Sequence, residues 1–480
     1  MNAVNSATAE ETITGAEQAE LSKRSEMKKR ILFNAFHMNC VVHQSPGLWV
    51  RPEDQMARYT ELETWVELAR LLERGCFDAL FLADVVGFYD VYRDSCDAAL
   101  TQATQAPLND PALLIPAMAY ATKHLGFAFT SSILQYHPYI FARLVSTLDH
   151  LTKGRIAWNI VTTYLESGAR GLGLPGLLPH DERYDAADDY IELCYKLWEG
   201  SWQDDAIVKN RQLGIYADPR KVHEIHHDGK YYRGHGCHMS EPSPQRTPVL
   251  YQAGGSPRGR EFAARHAECV FVGGLNPARV GESVRATREL ARRAGRNSDD
   301  IRFFLYAKVI TADTETAVQR KYEEYLSSVN YDGAMALLCG WSGIDFSKFD
   351  PDKPLRYIET NAARTVMQAF IRSEEERQWT LRELVRLIGA NGGGKLLVGT
   401  PEQLADTFQD WINVGIDGFN LAYMVTPGSF IDFIDGVVPV LQKRGLMQRE
   451  YQEGTLREKI FGAGRARLSA PHPATRYRPE

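Results

Sequence analysis

Nowhere in the 480 residues is there an uninterrupted apolar run of about 18, the length a helix needs to cross a bilayer. Cysteine is scarce and unpaired. The seven (Cys40, Cys76, Cys96, Cys194, Cys237, Cys269 and Cys339) never form a C-x-x-C motif, which argues against a disulfide framework and suits small buried thiols in a reducing compartment. Charge of one sign is also lacking. With 61 acidic against 55 basic residues and a formal net charge of -6, nothing calls for nucleic acid or an anionic membrane as a partner. The first 28 residues have neither the apolar core of a signal peptide nor the Arg-rich, acid-poor make-up of a transit peptide. They are expected to be a disordered leader, 1–28, on a cytoplasmic protein.

What is present is alternation. Eight apolar runs with strand character begin with RILFNAF (Arg30 to Phe36), FDALFLAD (Phe77 to Asp84), LGFAFTSS (Leu125 to Ser132) and RIAWNIVTT (Arg155 to Thr163). They continue with PVLYQAG (Pro248 to Gly254), ECVFVGG (Glu268 to Gly274), IRFFLYAKVI (Ile301 to Ile310) and DGFNLAYM (Asp417 to Met424). Segments of helical period come after most of them, which is the pattern of βα units around a parallel sheet. Eight such units point to the α/β class and a closed (β/α)8 TIM barrel over residues 29–447. Two gaps are too long for simple connections, so insertions are expected at 164–247, after strand 4, and at 311–416, after strand 7. The first contains VHEIHHDGKYYRG, a hairpin signal with Asp228-Gly229 at its turn. The polar, Pro- and Arg-rich tail, 448–480, is expected to run extended over a surface.

Gly171, Gly173 and Gly176 spell G-x-G-x-x-G shortly after the fourth strand run. A dinucleotide site needs those glycines to turn a strand into a helix whose N-terminus meets a pyrophosphate. Pro175 and Pro179 interrupt that path, and LPGLLP has no helical period, so a loop is the better reading. More informative is the segment HDERY, directly after the loop. His180 and Tyr184 stand four apart and share one face at a helix start, where anions are favoured. They form a candidate phosphate grip; the alternative is that Asp181 caps the helix and Tyr184 is a packed aromatic.

In a barrel of this kind the chemistry lies at the C-terminal ends of the strands. Asp84 closes the second strand run, Thr130 to Ser132 the third, and Asn159 with Thr162-Thr163 the fourth. Ser256-Pro257, after the fifth, reads as an N-cap with proline at N1, leaving the next N–H groups free for a phosphate. Singly, each of these is more readily read as a satisfied structural group. Together they suit a polar, planar, phosphorylated cofactor without a metal. His223, His226, His227, His235, Cys237 and His238 cluster on and beside the hairpin, yet their spacing matches neither H-E-x-x-H nor paired Cys/His, so solvated faces and no metal are expected.

Several linked motifs carry a family resemblance across Lys29 to Gly462. They are ERGCFDALFLAD, STLDHLTKGRIAWNIVTT, HDERYDAADDYIE with KLWEGSW, SPQRTPVLYQAGGSPRGREFA, LVGTPEQLAD and DGFNLAYMVTPGSFIDFIDGVVPVLQKRG. In this order they resemble the bacterial-luciferase-like flavin monooxygenases, in the branch of nitrilotriacetate monooxygenase component A. HQSPGLW, ADVVGFYDVYRDS and REYQEGTLREKIFG look most like the subgroup that oxidises small dialkyl sulfides. The resemblance implies FMN held by Asp84, Thr130, His180, Tyr184 and Ser256. It implies reduced FMN as co-substrate, O2 as oxidant, a separate NAD(P)H:FMN reductase as supplier, and a homodimer or homotetramer. A small organic substrate, above all an organosulfur compound such as a dialkyl sulfide, is the expectation. Rival readings are a deazaflavin-dependent oxidoreductase on the same barrel and a flavin-binding protein without turnover. Phe36, His43, Trp49, Tyr136 and Trp158 are candidates for the substrate pocket, or else ordinary core packing. His37 and His137 are candidate acid/base groups, or else satisfied structural histidines.

Overall fold

The structure is a computed structural model that describes residues 30–353 and 379–479. The expected leader, 1–28, lies outside the described residues. All eight apolar runs form strands: β1 (Leu32–Met38), β2 (Ala79–Ala83), β3 (Gly126–Ser132) and β4 (Ile156–Val161), then β9 (Val249–Ala253), β10 (Cys269–Val272), β11 (Arg302–Ile310) and β13 (Gly418–Ala422). Between them lie β5 (Ile207–Asn210), β6 (Ile215–Ala217), β7 (Ile225–Asp228), β8 (Arg233–Gly236) and β12 (Lys395–Val398). The eight pair in parallel in the order β10-β9-β4-β3-β2-β1-β13-β11, and a further β10–β11 ladder closes the ring. The fold is therefore an eight-stranded parallel barrel wrapped by helices, as expected.

Strand β11 does two jobs because it is nine residues long. Its first half, Arg302 to Leu305, pairs with β10 and closes the barrel; its second half, Ala307 to Ile310, carries the extra strand β12. That ninth strand, from KLLV, was not among the expected runs. In the hairpin, β7 and β8 pair as expected, but the connection is longer than Asp228-Gly229 alone, with Gly229 N–H donating to the Tyr232 carbonyl at 3.0 Å.

Strand alternation sorts the side chains into two shells. Leu32, Phe81, Ala128, Ala157, Tyr251, Cys269 and Phe304 fill the barrel interior. The other faces of the same strands, including Phe33, Leu80, Phe127 and Trp158, pack against the surrounding helices. The lower end of the interior is plugged by the tail. Leu456 and Ile460, on the short helix Leu456–Phe461, join the interior cluster. Gly126 makes room for the plug, since a Cβ there would lie 2.5 Å from Leu456 Cδ1 and 2.9 Å from the Asp78 carbonyl. Arg457, on the same helix, forms a two-pronged ion pair with Glu268, at 2.7 and 3.0 Å, and both side chains are buried. The tail is thus a folded closure and not only an extended strap.

The chain between β4 and β9 contains the helices Glu166–Gly171 and His180–Tyr195 and the hairpins β5/β6 and β7/β8. The stretch between β11 and β13 supplies helices Tyr331–Ser342 and Leu381–Asn391, which build a small second core with Tyr89, Tyr92 and Leu165 over the upper end of the barrel. Among the described residues no helix is long and apolar enough to cross a membrane.

Candidate active site

At the C-terminal end of the strands lies a cavity of about 520 Å³, within the usual range for small-molecule and cofactor sites. Asp84 after β2, Ser132 at the end of β3, Ile160 to Tyr164 at the end of β4, Ala253 to Gly255 after β9, and Val270 to Gly273 at β10 form its wall. His180, Arg183 and Tyr184 on the first turn of the helix His180–Tyr195 complete one side, with Arg260 beside them.

That side has a specific shape. Ser256 caps the helix Pro257–His266, its Oγ accepting from the Gly259 N–H at 3.0 Å, with proline at the first turn. The Tyr184 hydroxyl comes in from the other helix. A Cβ on Gly259 would lie 2.8 Å from that hydroxyl and 3.0 Å from Ser256 Oγ, and a Cβ on Gly254 would lie 2.7 Å from the same hydroxyl. Glycine at both positions is what allows the two helix starts to meet. The His180 ring stands edge-on to Tyr184, with centroids 5.4 Å apart, and its Nδ1 lies 2.6 Å from the acceptor Asp181 Oδ1. Pro179, not Asp181, occupies the cap position. Two helix N-termini, two hydroxyls, an imidazole and two guanidinium groups therefore converge on one rim, a donor set that suits a phosphate.

The opposite side carries Asp84. Burial pushes its carboxyl up to about 7, partly offset by the Gln135 amide, which donates to Oδ2 at 2.9 Å; nearby Asp110 adds to the rise. This group can hold a proton at neutral pH. Tyr164, whose hydroxyl burial pushes up to about 12, faces the cavity and shares a 2.5 Å hydrogen bond with Tyr89. Tyr89 in turn donates to Gln105 at 2.9 Å and accepts from Trp341 Nε1 at 3.2 Å. Sequence reasoning did not single out Tyr164, Arg183, Gln135 or Arg260. The Tyr306 hydroxyl, also in the cavity wall, is a buried polar atom without a hydrogen-bond partner. Such groups are costly unless a ligand or water meets them, so the residues present fit a polar, phosphorylated cofactor.

The expected site residues separate cleanly. Asp84, His180 and Tyr184 line the cavity, and Ser256 adjoins its lining residues Gly254 and Gly255. Thr130 is buried on β3, where its hydroxyl accepts from Asn159 Nδ2 at 2.9 Å. Phe36 lies inside the barrel against His43, Phe81 and Tyr306. The others are elsewhere. His37 points out of the barrel into a pocket of Trp65, Tyr423 and Phe430, with Nε2 3.2 Å from Thr426 Oγ1, and burial lowers it to about 3. His137 is exposed and caps the helix Pro138–Leu151 through Nδ1, which accepts from Tyr139 N–H. Trp158 also faces outward, against Phe141, Tyr190 and Trp198. Trp49 is 37% exposed, His43 is buried beside Phe36, and Tyr136 donates to Asp110 Oδ2 at 3.2 Å. None of Thr130, Phe36, His37, His137, His43, Trp49, Tyr136 or Trp158 lines the cavity.

The sequence pattern of the luciferase-like monooxygenases matches residues 36–418. The chain belongs to that family. This luciferase-like monooxygenase is 51% identical over 453 residues to dimethyl-sulfide monooxygenase of Hyphomicrobium sulfonivorans, covering 94% of each chain. It is also 51% identical, over 94% of its own length and 99% of the other's, to the long-chain alkane monooxygenase of Geobacillus thermodenitrificans (strain NG80-2). Among solved structures it is similar to riboflavin lyase with modified FMN and substrate riboflavin: TM-score 0.88, 38% identity, 94% of this chain and 100% of that one. The chain is a monooxygenase by this membership.

Proposed function

We propose that this luciferase-like monooxygenase is the oxygenase component of a two-component system. It takes reduced FMN from a separate NAD(P)H:FMN reductase and uses O2 to oxygenate a small organic molecule, an organosulfur compound such as a dialkyl sulfide. The observation that carries the reading is the meeting of Tyr184 and Ser256 at two helix starts on the rim of the 520 Å³ cavity. The structure of the relative with modified FMN, and the dimethyl-sulfide relative, support the same reading.

Bound reduced FMN would supply the electrons and the oxygen activation. The chain's own residues do the rest. Ser256, Tyr184 and His180 would hold the phosphate end, helped by the positive end of the helix Pro257–His266 and by Arg260. Asp84 and Thr130 would lie nearer the ring and ribityl chain, Asp84 offering a carboxyl proton that a polar ring edge can accept at neutral pH. Ile160, Val161, Val270, Phe271 and Val272 make much of the wall apolar, which keeps water from the reacting atoms and suits a substrate without charge. Tyr164, held by Tyr89, keeps its proton over the physiological range and presents a hydroxyl to the cavity. Because its proton goes to Tyr89, which itself donates to Gln105, the Tyr164 oxygen can accept a hydrogen bond that orients a substrate.

The test is to load the purified protein anaerobically with reduced FMN, admit O2 with dimethyl sulfide present, and follow flavin absorbance and sulfide loss together. Sulfide consumption tied to flavin oxidation supports the proposal. Failure to bind reduced FMN, or binding of reduced deazaflavin in its place, refutes it.

A further inference from the structure

The hairpin β7/β8 carries a constellation that the active site does not use. Along β7, residues alternate between the two faces. His227 points inward, buried, with Nε2 2.6 Å from Asp189 Oδ1, while Glu224 and His226 are exposed on the other side. On β8, His235 stands directly opposite His226 in the antiparallel register. The two imidazole rings are 4.0 Å apart, and His235 Nε2 lies 3.0 Å from Glu224 Oε2. One ligand atom from each of the three, Glu224, His226 and His235, lies within 4.8 Å of the other two.

We propose that Glu224, His226 and His235 form a surface site for a divalent transition-metal cation, Zn2+ in the first instance. Two imidazoles and a carboxylate are borderline donors of the type zinc takes, at bonds of about 2.0–2.2 Å. In a tetrahedral sphere such bonds separate neighbouring ligand atoms by about 3.3 Å. The Glu224 and His235 atoms are already that close, and His226, being exposed, needs only a small rotation to join them. Three protein ligands leave a position for solvent. Sequence spacing hid the site because the third ligand is Glu224, outside the His/Cys pattern, and because His226 and His235 meet only through strand pairing.

Such an ion would act as a staple. A two-stranded sheet without a third strand is marginal by itself, and β7/β8 has no other strand partner among the described residues. Its inner side is tied to the helix that bears His180 and Tyr184. Asp189 accepts from the Tyr231 and Tyr232 N–H groups at 2.6 and 2.9 Å, and Glu182 accepts from the Tyr231 hydroxyl at 2.8 Å. An ion on the outer side would lock the ladder from the face those bonds do not reach.

The experiment is isothermal titration of untagged, metal-stripped full-length protein with ZnCl2, beside hydrogen–deuterium exchange of residues 225–236. One equivalent should bind, and exchange in the hairpin should slow. His226→Gln and His235→Gln should each weaken binding by at least about tenfold, the loss that even an outer-shell partner causes, with circular dichroism and reduced-FMN affinity unchanged. Glu224→Gln should weaken it as well. No saturable binding, or one equivalent bound equally well by both histidine variants, would overturn the proposal.

Discussion

Replacing Asp84 by asparagine tests the electrostatics of the cavity without changing its shape. The carboxyl rises from 3.8 to about 7, chiefly through burial. A raised folded-state value means that the folded protein holds the proton more tightly than the unfolded chain. The stability that goes with this is complete below pH 4 and is lost as pH climbs through 7. At 1.36 kcal/mol per unit, a rise of about three units penalises the ionised folded state by roughly 4 kcal/mol. Between pH 5 and pH 8 the wild type should therefore lose about 2.5 kcal/mol relative to Asp84→Asn, whose neutral amide does not titrate. Urea unfolding of both proteins across that range measures the difference directly. A difference that stays constant with pH would refute the burial argument, and a wild type that gains stability relative to Asp84→Asn as pH rises would reverse its sign.

Gly254→Ala should lower reduced-FMN affinity by at least about tenfold, because the new methyl falls on the Tyr184 hydroxyl; fluorescence titration reads it. Arg457→Met should destabilise by about 3–5 kcal/mol by leaving Glu268 buried and unpaired, and adding Glu268→Gln should restore much of the loss in urea unfolding. His37→Ala should cost about 2–3 kcal/mol of stability yet leave reduced-FMN affinity unchanged, as befits a side chain packed outside the barrel. Tyr164→Phe should preserve FMN binding but lower the yield of oxygenated product per flavin oxidised by roughly fivefold, about the worth of one lost hydrogen bond.

The barrel was legible because each of its strands is an apolar run bounded by turns, and β/α alternation leaves few arrangements for eight of them. Strand β12 was not, since KLLV is four residues long and merges with the capping signal of the helix Pro401–Asn413. At the site, HDERY and GGSPRG could be read because capping and helix-end electrostatics are local. The misplaced aromatics and histidines arise from tertiary direction. Asn34 and Phe36 share the inner face of β1, so His37 must point outward, just as Trp158 must oppose Asn159 on β4. Alternation alone carried that signal. The run Gly392-Gly393-Gly394 shows the reverse. Its reason is a long-range contact, a Cβ on Gly394 falling 1.6 Å from the Tyr306 ring, which no local pattern announces.

In the proposed function, the rim formed by Tyr184, Ser256 and the helix starts holds a flavin phosphate. Anaerobic titration of the protein with reduced FMN and with reduced riboflavin, which lacks only that phosphate, tests it most directly. FMN should bind tighter by at least about tenfold, the worth of one charge-assisted hydrogen-bonded grip. Equal affinity for the two would contradict it.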